Sequence, residues 1–114
     1  MKKYKNHRSE PWFGYLKSGQ KSIEGRIKRG KYAKIEPGDR IEVNNEDETD
    51  RVEVEVSAVR EYSSFEEMLA KEQIDKVLPG ISNIDEGLKI YRGFYGEKDE
   101  DKYGVVAIEI RLLP

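Results

Sequence analysis

The sequence predicts an α+β fold: a small barrel of short strands in mixed orientation, with helices at its side. Three observations carry that expectation. Short alternating runs (residues 22–28, 40–43, 51–58 and 103–112) are separated by tight turns and polar loops, the pattern of a small barrel. The helical segments do not alternate one for one with those runs, which argues against a parallel, doubly wound sheet. Finally, 114 residues suffice for one hydrophobic core and not two, so residues 1–114 are read as a single domain.

Met1 to Arg8 is basic around Tyr4 and reads as a first short strand or arm. Glu10 to Ser18 is amphipathic and reads as a short helix. Ser9 is placed to cap it, Pro11 sits in its first turn, and Lys17 lies near its negative end. Trp12, Phe13 and Leu16 recur at helical spacing with Tyr15 beside them, which suits docking on a sheet. Trp12 and Tyr15 are the two that can instead stand at the surface as stacking platforms. Gly19 follows, where a helix most often ends on a residue of positive φ.

From Ser22 onward the chain alternates. Ile23 and Ile27 share one face, while Ser22, Glu24 and Arg26 share the other. By that parity Lys21 points with the isoleucines. An unpaired lysine in a core is costly, so the reading puts Lys21 at the helix-to-strand junction with its ammonium turned towards Glu24 and Arg26. Pro37-Gly38 then has turn chemistry, and Arg40 to Val43 is a short strand. Asn44 to Asp50 is a polar hairpin tip. Arg51 to Ala58 alternates cleanly, with Val59 marking a bulge or the strand's end.

Ser63 and Ser64 each precede a glutamate by three residues, so either can cap a helix carrying Phe65, Met68 and Leu69. A further turn fits between Gln73 and Leu78, before Pro79-Gly80. Ser82 or Asn83 caps a last helix with Ile84, Leu88, Tyr91 and Tyr95 on one face. Gly96 to Lys102 reads as a charged loop, and Tyr103 to Leu112 as the closing strand.

Composition limits function. Basic and acidic residues number 21 and 23, so a nucleic-acid site has to be a local patch. There is no cysteine and only His7, so neither a disulfide nor a zinc site is expected, and no cofactor is implied. No apolar run approaches the ~20 residues that span a bilayer. With no signal-peptide pattern after Met1, the expected location is cytoplasmic. Abundant lysine and glutamate suit a thermophile's surface ion-pair networks.

The segment Gly19-x-Lys21-x-x-Glu24-x-Arg26 resembles the signature of the ASCH domain family, relatives of the PUA RNA-binding domain. The preceding helix, the Pro-Gly-Asp turn and the closing Gly-Val-Val-Ala-Ile-Glu-Ile strand extend that resemblance over nearly the whole chain. It implies a PUA-like barrel and a cleft for RNA or a nucleoside, lined by the positions of Lys21, Glu24 and Arg26. In such a cleft Arg26 is a rigid fork for phosphate or a base edge, Lys21 a mobile cation, and Glu24 an acceptor. Two further segments suit the task. Lys28, Arg29, Lys31 and Lys34 surround Tyr32, and Tyr91-Arg92-Gly93-Phe94-Tyr95 interleaves a cation with aromatics. The expected RNA or nucleotide contacts are therefore Lys21, Glu24, Arg26, Lys28, Arg29, Trp12, Tyr15, Tyr91 and Arg92.

An enzymatic alternative comes from the same resemblance. Some ASCH-like proteins are amidohydrolases on N(4)-acetylcytidine, using a lysine at the position of Lys21 with a hydroxyl and a carboxylate. Here Lys21 and Glu24 would be catalytic, Glu24 standing where that branch has threonine, with Glu72 and Asp85 as candidates for the second carboxylate. The reading from charge is that Glu24 keeps Lys21 protonated well above neutral pH, which favours a binder. A third alternative is a protein-interaction module without a ligand of its own.

Overall fold

The computed structural model describes residues 1–114. Five strands form one curled sheet in the order β1-β3-β4-β5-β2, with β1 Lys3–Arg8, β2 Ile23–Ile27, β3 Arg40–Asn45, β4 Arg51–Tyr62 and β5 Val105–Leu112. Only β1 and β3 are parallel; the other pairs are antiparallel. This is the mixed orientation expected from the turns. Five helices accompany the sheet: α1 Trp12–Ser18, α2 Phe65–Lys71, α3 Ile74–Val77, α4 Ile84–Arg92 and α5 Glu97–Tyr103. None is long and apolar enough to cross a membrane.

Local chemistry explains most element ends. Gly19 closes α1 at φ 85°, in the left-handed region that a side chain disfavours. Ser64 and Asn83 cap α2 and α4, each accepting a hydrogen bond from the backbone N–H three residues on. Several expectations are corrected. Ser9 makes no side-chain cap; α1 starts one residue after Pro11, and Ser9 contributes only its carbonyl, which accepts from Phe13 N–H. The β4 strand runs four residues past Ala58, because a register shift between Val56 and Ala58 absorbs the break in alternation as a bulge. The segment read as a charged loop is α5, whose Glu100 turns inward to accept from Phe65 N–H at the start of α2.

The sheet divides the core in two. On one side Phe13, Leu16, Ile41, Val43, Val54, Val56, Val106 and Ile108 fill the concave interior under α1. On the other, Ile23, Ile27, Val105 and Ala107 pack against Phe65, Met68, Leu69, Val77 and Tyr91 of α2, α3 and α4. Both faces of β2 and β5 are therefore covered, which is why Val105 to Ile108 reads as a continuous apolar run.

The two edge strands, β1 and β2, have no ladder between them. What joins them is a side-chain pair, Arg8 at the end of β1 and Glu24 in β2. The edges of the curled half-barrel are thus bridged at their seam by charge, and that seam is where the motif lies.

Candidate functional site

Glu24 opposes Ile108 in the β2–β5 ladder, and Arg26 opposes Val106, so both side chains lie on the face whose apolar members fill the concave interior. Glu24 is 3% exposed. A lone carboxylate there would be prohibitively expensive, and three cations answer it. Arg8 donates through Nε at 2.9 Å and again through Nη2; Lys21 Nζ lies 3.5 Å away, and Arg26 Nη2 3.9 Å away. Burial alone would raise the Glu24 pKa, but Arg8, then Lys21 and Arg26, hold it well below the usual carboxylate range. Glu24 is ionised at any ordinary pH.

Lys21 stands just before β2, at the junction the sequence suggests, with its ammonium turned to Glu24 as expected. Its side chain is fully buried, and Nζ donates to the carbonyls of Ile23 and Val77. With the ion pair to Glu24, the ammonium faces three oxygens. The expectation that Glu24 keeps Lys21 protonated well above neutrality is corrected. Burial outweighs the carboxylate, with Arg8 adding to the depression, and the pKa falls to about 8. At pH 7 the ammonium form still predominates.

Arg26 differs from the other two cations. Its guanidinium lies over the Tyr32 ring at 4.9 Å, and Nη1 reaches Tyr95 Oη only at 3.5 Å. Nε and Nη2 are buried without any hydrogen-bond acceptor. Tyr32 is held in turn by donating to Asn6 Oδ1 of β1, and the Tyr91 hydroxyl is likewise buried without a partner. Three cations against one carboxylate leave two positive charges in excess at the seam.

The remaining expected contacts fall elsewhere. Trp12 and Tyr91 are core residues, not surface stackers; Tyr91 lies 4.1 Å from Phe65 in a stacked pair, where apolar packing gains more than exposure. Tyr15 is half-buried at 6.0 Å from Trp12. Lys28 pairs with Glu61, Arg29 with Asp99, and Arg92 with Glu97 and Glu100, so each already has an anion. The carboxylates offered for a hydrolase are separate from the seam: Glu72 is held by Arg60 and Tyr62, and Asp85 is exposed in the first turn of α4. No surface depression is lined by Glu24 or Arg26. The nearest in sequence, about 270 Å³, is bordered by Ser22, Ile23 and Glu72, and a second, about 250 Å³, by Gly19, Lys21 and Ser22.

Sequence reasoning missed Arg8 and Asn6. Arg8 is visible there only as the last cation of a basic arm, and nothing in the local pattern says that β1 ends beside β2. Phe94 follows α4, is 54% exposed and stands 6.4 Å from Tyr95.

A curled five-stranded sheet with flanking helices and a charged seam defines a small α+β domain of the PUA-like type. The chain belongs to the ASCH domain family, whose model matches residues 7–114. The crystal structure of hypothetical protein PH0355, from Pyrococcus, is 47% identical, with a TM-score of 0.87 over 97% of this chain and 99% of that one. The solution NMR structure of protein PF0455 from Pyrococcus furiosus is 43% identical, with a TM-score of 0.78 over 97% of each chain. No curated protein matches the chain.

Proposed function

We propose that this protein is an RNA- or nucleotide-binding module whose ligand engages the Arg26 side of the seam. One observation carries the reading: a guanidinium with two nitrogens that lack a hydrogen-bond acceptor, at a seam with an excess of two positive charges. Buried donors of a charged group are costly to leave unpaired, so the arrangement favours an incoming acceptor. Membership of a PUA-like family supports that acceptor being nucleic acid. The half-buried Tyr95 and exposed Phe94 add aromatic surface on which a base can stack.

The test is fluorescence anisotropy with a labelled single-stranded RNA. Binding is expected at low salt, with log K falling linearly in log salt at a slope of about −0.7 for each phosphate neutralised. Arg26→Gln is expected to weaken it at least tenfold. Absence of binding at low salt would defeat the reading.

The hydrolase alternative has one observation in its favour, the Lys21 pKa of about 8, which lies in the range useful to a catalytic lysine. Against it stand the complete burial of that side chain and its engagement by two backbone carbonyls and Glu24. Incubation with N(4)-acetylcytidine is expected to release no cytidine above the uncatalysed background.

A further inference from the structure

We infer that the group recognised at the seam is a terminal phosphate, a monoester at the end of an RNA or on a free nucleotide, and not an internal diester. This rests on the function proposed above and narrows its ligand. Nε and Nη2 of Arg26, which have no hydrogen-bond acceptor although Nη2 lies 3.9 Å from Glu24, form one edge of the guanidinium, so two of their N–H bonds run parallel in one plane. That edge matches two oxygens of a single phosphate and binds them bidentately. Arg8 Nε and Nη2 are taken up by Glu24 and the Lys21 ammonium by two backbone carbonyls and Glu24, so both add positive charge beside that edge.

Charge decides between monoester and diester. The excess at the seam is two positive charges; a diester carries one negative charge, while a monoester carries close to two at neutral pH. Only the second neutralises the site. Tyr95, whose hydroxyl makes the 3.5 Å contact with Nη1 at the far side of the guanidinium, belongs to the segment Gly93 to Gly96, between α4 and α5 and outside both helices. Phe94, beside Tyr95, then offers its exposed ring to the terminal base.

The experiment has two arms on the full chain. In the first, the arginine Nε–Hε resonances of the ¹⁵N-labelled protein are followed during titration with inorganic phosphate, with chloride as the ionic-strength control. The Arg26 resonance is expected to move saturably with phosphate and to stay in place with chloride. In the second, one short RNA is compared with a 5′-phosphate, a 3′-phosphate, or hydroxyls at both ends, alongside a nucleoside monophosphate. At least one phosphorylated ligand is expected to bind tenfold or more tightly than the hydroxyl-ended RNA. That advantage shrinks at pH 5, where the monoester takes up a proton. Equal affinity for phosphorylated and hydroxyl-ended RNA overturns this inference and leaves the RNA-binding reading standing. Failure of every RNA and mononucleotide to bind overturns both.

Discussion

Replacing Glu24 with glutamine tests whether the seam is held by charge. The change is isosteric, removes the only anion among Arg8, Lys21 and Arg26, and turns an amide N–H₂ towards one of them. At an effective dielectric near 20, each of these contacts, at 2.9, 3.5 and 3.9 Å, is worth roughly 4–6 kcal/mol before desolvation is subtracted. Desolvation cancels most of that sum. Breaking a buried pair by removing one partner nevertheless costs about 3–5 kcal/mol, because the remaining charges stay buried and unpaired. For a domain of this size that is a large part of a total of about 5–15 kcal/mol, and it lowers the melting temperature by roughly 12–20 °C. Denaturation in guanidinium chloride and in a thermal scan, followed by circular dichroism, measures both. Arg8→Met completes a double-mutant cycle, in which the double variant is expected to lose at least ~1 kcal/mol less than the sum of the single losses. A Glu24→Gln loss below about 1 kcal/mol, or strict additivity with Arg8→Met, would refute the claim that this pair holds the two sheet edges together.

Lys21 gives a pH signature. Its folded pKa of about 8 lies below its ordinary 10.5, so between those values the unfolded chain binds more protons than the folded one; stability contributed by this group therefore rises from about pH 8 to 10.5. Denaturant midpoints across that window, with Lys21→Met as the flat control, check the sign, and NMR titration of the side chain checks the pKa. Gly25→Ala should cost about 1–3 kcal/mol: the added methyl falls 2.6 Å from the Tyr91 hydroxyl and 2.8 Å from Met68 Cε, and the Tyr91 ring is pinned by Phe65. Tyr91→Phe removes a buried hydroxyl without a partner, so it is expected to be neutral or stabilising by up to ~1 kcal/mol and to recover part of the Gly25→Ala loss. Equal Gly25→Ala losses with and without the Tyr91→Phe change would contradict that contact. At Gly19, an added methyl meets only Leu112 Cδ1 at an ordinary 3.6 Å, but alanine must hold φ 85°, which costs about 1 kcal/mol in unfolding free energy.

Elements whose causes are local were legible in the order of the residues. Alternation placed β2, β4 and β5; Ser64, Asn83 and Gly19 marked helix ends because caps act within three residues; and Pro37-Gly38 made its turn. The same local pattern brought Lys21, Glu24 and Arg26 together, since a helix-to-strand junction followed by period two leaves them few other arrangements. The rest was set by packing across the fold. The α5 helix was hidden because its burial depends on one residue, Glu100, reaching the start of α2 from 35 positions away. Trp12 and Tyr91 were legible as aromatics on helices, but whether such a ring meets a core or solvent depends on what packs over it. The pKa of Lys21 depended on complete burial, a property of the whole fold that outweighs its neighbour three residues on. Above all, Arg8 became part of the site because curling the sheet brings its two edges together. Local pattern decides what a strand is, while the closure of a barrel decides which strand ends meet, and here they meet on Glu24.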